Sequence, residues 1–244
     1  IYTRTYTLSL HDALPILDGM RDPAFYDRDT FNYERVEVMR GSASMLFGRG
    51  STGGAVNQVS KPPRLMDENE VTTTAGSHGY RRVTGDFNIV TGENAALRLN
   101  AMRTVADNNG SGTSIDKSGL AAAYRWGIGT RDEFQASLYW LDNRNGINYG
   151  LPWIKPTSTS PGSTATLLPG LDPTAYFGMG SDYNRGGARI ATFSHVHRFD
   201  GETELRTQVR NGEFRRDQRA SAIRFASTAT SLENLSGATG LVRQ

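Results

Sequence analysis

The chain has 244 residues, no cysteine, 27 glycines and a formal net charge of +2. Without cysteine there is neither a disulfide framework nor a thiolate metal site, and the near-balanced charge calls for no nucleic acid or other polyanionic partner. No run approaches about eighteen apolar residues, so no transmembrane helix is predicted; a transmembrane barrel, which hides its apolar face at every second residue, is not excluded.

The opening stretch 1–16, IYTRTYTLSLHDALPI, shares no pattern with the rest of the chain. It is expected to be non-native or unassigned and to make few contacts. With no initiator Met and no closing element after Leu241-Val242-Arg243-Gln244, the chain is expected to be an internal piece of a longer protein. Leu17-Asp18-Gly19-Met20 reads as a short strand ending in a turn. Phe31 to Arg40 alternates as a strand with Val36 and Val38 inward, Ser42 to Phe47 suits one helical turn, and Gly48 to Gly54 is a Gly-rich loop. Ala55 to Ser60 is another short strand, ended by Lys61-Pro62-Pro63 because two prolines cannot continue a ladder. Gly48-Arg49-Gly50-Ser51-Thr52-Gly53 has the spacing of a dinucleotide fingerprint. That motif needs a helix after it, and AVNQVSKPP is strand-like, so the glycines are read as turn and close-approach positions.

From about Val71 the period is two. Phe134, Ala136, Leu138 and Trp140 share one face, and Gln135, Ser137 and Tyr139 the other. Arg82 to Val90 and Ala95 to Ala101 repeat the pattern, while Gly187 to Val196 alternates poorly. In Thr203 to Arg210, Leu205 and Val209 oppose Glu204, Arg206, Gln208 and Arg210. Four such side chains in a row must face water, because unpaired buried charges cost too much. Seven strands are predicted, near 71–77, 81–90, 95–106, 118–126, 133–143, 186–197 and 203–214. Their connections alternate. Thr91 to Asn94, Gly127 to Asp132 and Asp200 to Glu202 are tight, whereas Asp107 to Lys117 and Asn145 to Arg185 are long. Outer-membrane barrels join their strands this way, and Leu97, Leu99, Phe134, Leu138 and Trp140 are then expected to face lipid. A soluble β-sandwich would have shorter loops and fewer charges on its wet face.

Asp18-Gly19, Glu34-Arg35-Val36-Glu37, Arg40-Gly41, Phe47-Gly48, Gly53-Gly54-Ala55-Val56-Asn57 and Val59-Ser60-Lys61 together resemble the C-terminal half of the plug of TonB-dependent siderophore receptors, in the family's order and spacing. Gly41-Ser42 departs from the commoner Gly-Pro. The resemblance implies a mostly β chain: residues 17–65 form the C-terminal part of a plug domain. Residues 66–244 form the first seven or so antiparallel strands of a transmembrane β-barrel, which in the family is plugged and has about 22 strands. It implies a receptor in the bacterial outer membrane that takes up ferric siderophore, energised through TonB–ExbB–ExbD, amid outer-membrane lipid and lipopolysaccharide. The TonB box and the N-terminal half of the plug would lie before this chain. No bond is made or broken, so no catalytic residue and no covalently bound cofactor is expected. The GRGSTGG and DGMRDP stretches look closest to catecholate-type receptors.

Carried onto this sequence, Phe25 and Tyr26 fall at a plug apex facing the siderophore, where aromatic rings suit a catechol or apolar surface; ordinary plug packing is the alternative. Arg21 and Arg28 flank them and suit an anionic ferric catecholate, or are solvated surface arginines. Arg40 falls where the family pairs an arginine with barrel-wall glutamates, a lock released when TonB pulls. Tyr149, Trp153, Tyr176, Phe177 and Tyr183 crowd the longest loop, as a vestibule lip or as loop packing and interfacial girdle. His195 and His197 share a strand face. Without a third ligand they are read as lumen-facing polar residues and not as a metal site. Haem, cobalamin or a glycan remain alternative cargoes. A passive porin would lack the Gly-rich segment before the strands.

Overall fold

The computed structural model describes residues 14–40, 54–107, 113–148, 150–168, 170–172, 174–221, 223–225 and 241–243. The expected helical turn at Ser42 to Phe47, the glycine loop 48–53 and Tyr149 lie outside them.

The first element is a four-stranded sheet of β1 (Leu14–Leu17), β2 (Met20–Arg21), β3 (Tyr33–Arg40) and β4 (Gly54–Ser60), in the order β2-β1-β4-β3. β1 runs parallel to β4, and the other pairs are antiparallel. Its small core joins Leu14, Ile16 and Ala55 to Met39. This differs from the expectation for 1–16: Leu14, Pro15 and Ile16 belong to a paired strand, and Ile16 is fully buried. Leu8 and Leu10 lie outside the described residues. Four residues laddered to β4, two of them also to β2, are too short a strand to show a period, so periodicity did not reveal them.

Asp18 and Gly19 turn the chain through positive φ, at 50° and 81°. The Asp18 carboxylate accepts from the Ser60 backbone N–H at 2.7 Å and from its hydroxyl at 2.9 Å, and the Gly19 N–H donates to Asn57 Oδ1 at 3.2 Å. Asn57 in turn donates to Glu37 at 2.8 Å. One polar network thus ties the turn to β4 and β3. Val36 and Val38 are not inward. They are 49% and 53% exposed, because β3 is the edge of this sheet and Met39, on its other face, meets the core.

The second element is a seven-stranded sheet: β5 (Glu68–Ala75), β6 (Arg81–Gly92), β7 (Ala95–Asp107), β8 (Ser114–Trp126), β9 (Asp132–Asn145), β12 (Tyr183–Arg198) and β13 (Glu204–Arg219). Every neighbouring pair is antiparallel and sequential in up-and-down order. β8, β9, β12 and β13 run beyond the predicted limits, β6 and β7 nearly keep them, and β5 begins and ends earlier than predicted. β12 forms despite weak alternation, because it is laddered on both sides along nearly its whole length. Between β9 and β12 the long connection carries a small hairpin, β10 (Trp153–Ile154) with β11 (Thr166–Leu167), and a 3-10 turn at Gly162–Thr164. A last pair, β14 (Ile223–Phe225) and β15 (Leu241–Arg243), stands apart from this sheet.

The two faces of the large sheet are inverted relative to a soluble protein. The buried face is polar, with Asn143 1%, Asn100 4% and Arg98 6% exposed. The exposed face is apolar, with Leu120 56%, Leu138 64% and Val209 65% exposed. Leu97, Leu99, Phe134, Leu138 and Trp140 all lie on this apolar face, and the ladder sets Leu138 beside Ala122 and Ala191. An apolar band of this extent is a lipid-facing surface. Leu138→Arg is therefore expected to cost about 2–4 kcal/mol of stability in lipid vesicles. Gln208→Arg, on the polar face, should cost far less. Urea unfolding of both variants in vesicles measures the difference; equal losses would mean that Leu138 packs on protein.

Candidate functional site: a polar seam beneath the long loops

The small sheet and the loop after β2 dock on the polar face of the large sheet. Phe31 is buried with Met102, Ala121 and Leu141, and stacks on Tyr139 with ring centroids 5.6 Å apart. Gly119 makes room for it, since a Cβ there would lie 2.6 Å from the Phe31 ring. Arg82 grips Asp29 through two nitrogens at 2.6 and 3.0 Å. Asn143 donates to the Asp27 carbonyl and Asn184 to the Asp27 carboxylate, both at 2.9 Å, and Arg216 donates to the Phe25 carbonyl at 3.2 Å. Arg210 donates to the Leu17 carbonyl at 2.7 Å. Toward the tight turns, Asp86 pairs with Arg98 and with Lys61, each at 2.8 Å, and Glu34 pairs with Arg64. Arg98 and Arg125 donate to the Pro62 and Pro63 carbonyls at 3.0 and 3.3 Å. The two prolines that end β4 thus also present free acceptors to the wall.

Of the residues singled out in the sequence, Phe25, Tyr26 and Arg28 are brought together. Tyr26 is buried at 4% exposure. Its ring meets Phe214 at 5.0 Å, and its hydroxyl donates to Asp22 at 2.8 Å. Burial first, then the Asp22 carboxylate, pushes its phenol above the usual value and keeps it a neutral donor. Burial does the same to the Tyr33 phenol. As placed, Tyr26 is a packing residue of the seam. Arg28 binds Asp22 at 2.6 and 3.0 Å and lies 4.2 Å over the Tyr26 ring, so its charge is already satisfied. Phe25 is 47% exposed, with its ring edge-on to the same Phe214 at 6.5 Å. Arg21 is exposed in β2, and Arg40 is exposed where β3 ends. Trp153 is 62% exposed on the β10–β11 hairpin.

Of the other aromatics, Tyr176 bonds within the loop and Tyr183, the first residue of β12, bonds across to β13. Tyr176 donates to the Met179 carbonyl at 3.0 Å, and Tyr183 reaches Asp217 at 3.2 Å. Asp182 accepts from the N–H groups of Met179 and Ser221, both at 2.9 Å, which holds its carboxyl below the usual range. Sequence reasoning missed Asp27, Asp29, Arg82, Asn143, Asn184 and Arg216. The available signal was that Arg82 and Asn143 sit on the polar face of their strands.

The family model described as the TonB-dependent Receptor Plug Domain matches residues 5–55. That span includes the turn, the docking loop, β3 and the start of β4. The catecholate siderophore receptor Fiu of Escherichia coli O157:H7 is 31% identical over 212 residues, covering 85% of this chain and 28% of that protein. The ferrioxamine B receptor of Salmonella typhimurium strain SL1344 is 28% identical over 207 residues, 82% of this chain and 28% of that protein. The solved closed form of the ferric-catecholate import receptor Fiu from E. coli K12 superposes with a TM-score of 0.83 at 28% identity, over 96% of this chain and 34% of that one. The chain thus spans under a third of the length of the curated relatives it matches.

Arg82→Ala and Asp29→Ala, alone and together, are expected to show a coupling of about 1.5–3 kcal/mol, the range for hydrogen bonds to charged groups. Hydrogen exchange of the docking loop under mild denaturant reads it, and additive effects would mean that the pair does not hold the seam. A plug-family segment docked on the polar face of an up-and-down sheet whose other face is apolar has one reading: the chain belongs to the TonB-dependent receptors of the bacterial outer membrane.

Proposed function

We propose that the protein is a receptor for ferric siderophore, taken up across the outer membrane with energy delivered by TonB–ExbB–ExbD. The observation that carries this is the docking loop itself. Residues 22–32 close the polar face of the sheet, and they hold Phe25 exposed at the end from which the long connections rise. An aromatic ring held there by a satisfied Tyr26–Asp22–Arg28 cluster suits the face of an aromatic ligand. The names of the relatives support a siderophore as cargo, and a ferric catecholate first.

In this reading Phe25, Arg21, Trp153 and Tyr149 meet the ligand, while Tyr26 and Arg28 position Phe25. Arg40 locks the plug to a wall carboxylate, and Arg82–Asp29 is a second, nearer fastening. The plug segment takes in β1 to β4 and ends near residue 65, and the barrel segment follows from 66. The apolar band meets outer-membrane lipid and lipopolysaccharide. The work is transport, with ferric siderophore as cargo and no covalent cofactor.

The test uses the intact receptor. Phe25→Ala is expected to weaken ferric-catecholate binding several-fold to about tenfold, from the ~0.5–1.5 kcal/mol of an aromatic contact beyond its area. Arg82→Ala should leave binding close to wild type and change uptake. Quenching of intrinsic fluorescence reads binding, and radiolabelled iron entering cells with and without TonB reads transport. Uptake that is indifferent to TonB, or the absence of any ferric-catecholate binding, overturns the proposal.

A further inference from the structure

Outside the seam, on the apolar face of the large sheet, three donor groups converge. Asp132 opens β9, and His195 and His197 lie near the end of β12, beside the tight turns that follow Trp126 and Arg198. The ladder pairs His197 with Asp132 and His195 with Phe134. Phe134 and Phe193 are on the outward face, so both histidines point outward and not into the lumen, which corrects the sequence reading. The third ligand that the sequence lacked comes from the neighbouring strand. His195 Nε2 is 2.9 Å and His197 Nδ1 is 2.6 Å from the same atom, Asp132 Oδ1. All three donor atoms lie within 4.8 Å of one another.

We propose that Asp132, His195 and His197 bind a divalent transition-metal ion of the zinc class on the outer wall of the sheet, at the rim formed by the tight turns. Two imidazole nitrogens and one carboxylate oxygen are a borderline donor set. They suit zinc or cobalt at about 2.0–2.2 Å with an open fourth position. Magnesium and calcium prefer all-oxygen shells. In the metal-free form one carboxylate oxygen accepts from two imidazole N–H groups. An ion between the three groups takes both nitrogens and the oxygen, and each neutral imidazole changes tautomer, its one proton passing through solvent to the ring nitrogen that faces away from the ion. The ion carries the charge, and no redox step is involved.

The rings are held before any ion arrives. His195 stacks on Phe134, with centroids 4.4 Å and planes 7° apart, and His197 meets Phe199 edge-on at 4.6 Å. Side-chain exposures of 31% for His195, 23% for His197 and 45% for Asp132 leave room for a water or a lipid oxygen to complete the shell. The bound ion would staple β9 to β12, the neighbouring strands that the longest connection separates in the chain. It would do so on the lipid side of the wall, away from any path through the lumen, so the inference stands or falls independently of the cargo.

The test is metal titration of the intact receptor, stripped of metal and held in detergent. Zinc is followed by calorimetry, and cobalt by the visible absorption of a tetrahedral nitrogen–oxygen site. One equivalent of each is expected, reversed by a chelator. His195→Gln, His197→Gln and Asp132→Asn should each weaken binding about tenfold or more, a loss felt even when only a ligand's hydrogen-bond partner is removed. His78→Gln, at the opposite end of the sheet, should change nothing. Unheated gel mobility shows that each variant still forms its barrel. If the His195→Gln/His197→Gln double variant takes up zinc as the parent does, or the parent takes up none, the proposal is overturned and the triad is a hydrogen-bonded rim cluster.

Discussion

Everything in this structure depends on strands whose dry and wet faces are exchanged. A soluble sheet buries Leu and Val and shows Arg and Asn to water. Here Arg98, Asn100 and Asn143 are covered while Leu138 and Val209 are bare. That arrangement is stable only if two different media meet the two faces. Lipid on one side accepts the apolar band at no cost in unsatisfied backbone, because the ladder pairs it. On the other side a covering element must return a partner to each desolvated charge. The docking loop and the β4 terminus do this, with Asp29 for Arg82, Asp27 for Asn143 and Asn184, and the Pro62 carbonyl for Arg98.

The seam is held mainly by polar contacts. Arg82–Asp29 and Arg98–Asp86 are bidentate and directional, yet water can replace each of them, as it cannot replace buried methyl contacts. Among the described residues, the apolar component centres on Phe31 against Met102, Ala121 and Leu141, and on Leu17 and Tyr26 with Ala188, Ile190 and Phe214. Asp22 Oδ1, Tyr139 Oη and Asn143 Oδ1 are buried there without a protein partner, so the network is not closed. A seam of this kind specifies register strongly and resists separation only moderately.

The large sheet was legible because period-two alternation and loop length are local properties of the chain, and all seven strands followed from them. The residues of the small sheet's polar network stood among the motifs that carried the resemblance, though their bonding was not foreseen: Asp18 bonds Ser60, Gly19 bonds Asn57, and Asn57 bonds Glu37. What could not be read was anything set by pairing across long separations. β1 is held by a parallel partner some forty residues away, so Leu14 and Ile16 carried no periodic sign. Val36 and Val38 looked inward because alternation gives the faces of a strand without saying which face is covered. His195 and His197 had the right spacing, but the face and the third donor came from the register with β9.

Phe25 and Tyr26 illustrate the same limit at the site. The two residues lie side by side in one turn, and the sequence gives no reason to prefer one as the contact. The structure separates them by burial: Phe25 stands exposed, whereas Tyr26 is clamped between the Arg28 guanidinium and Phe214 with its hydroxyl committed to Asp22. Removing the Tyr26 ring would therefore take one donor from Asp22 and the ring from beneath Arg28, leave those two paired only with each other, and loosen the loop that carries Phe25. A loss of affinity on that change would report positioning as readily as contact. The same loss at Phe25, which is exposed and whose ring stands edge-on to Phe214, would report contact more directly, because its side chain holds no partner of the Tyr26–Asp22–Arg28 cluster.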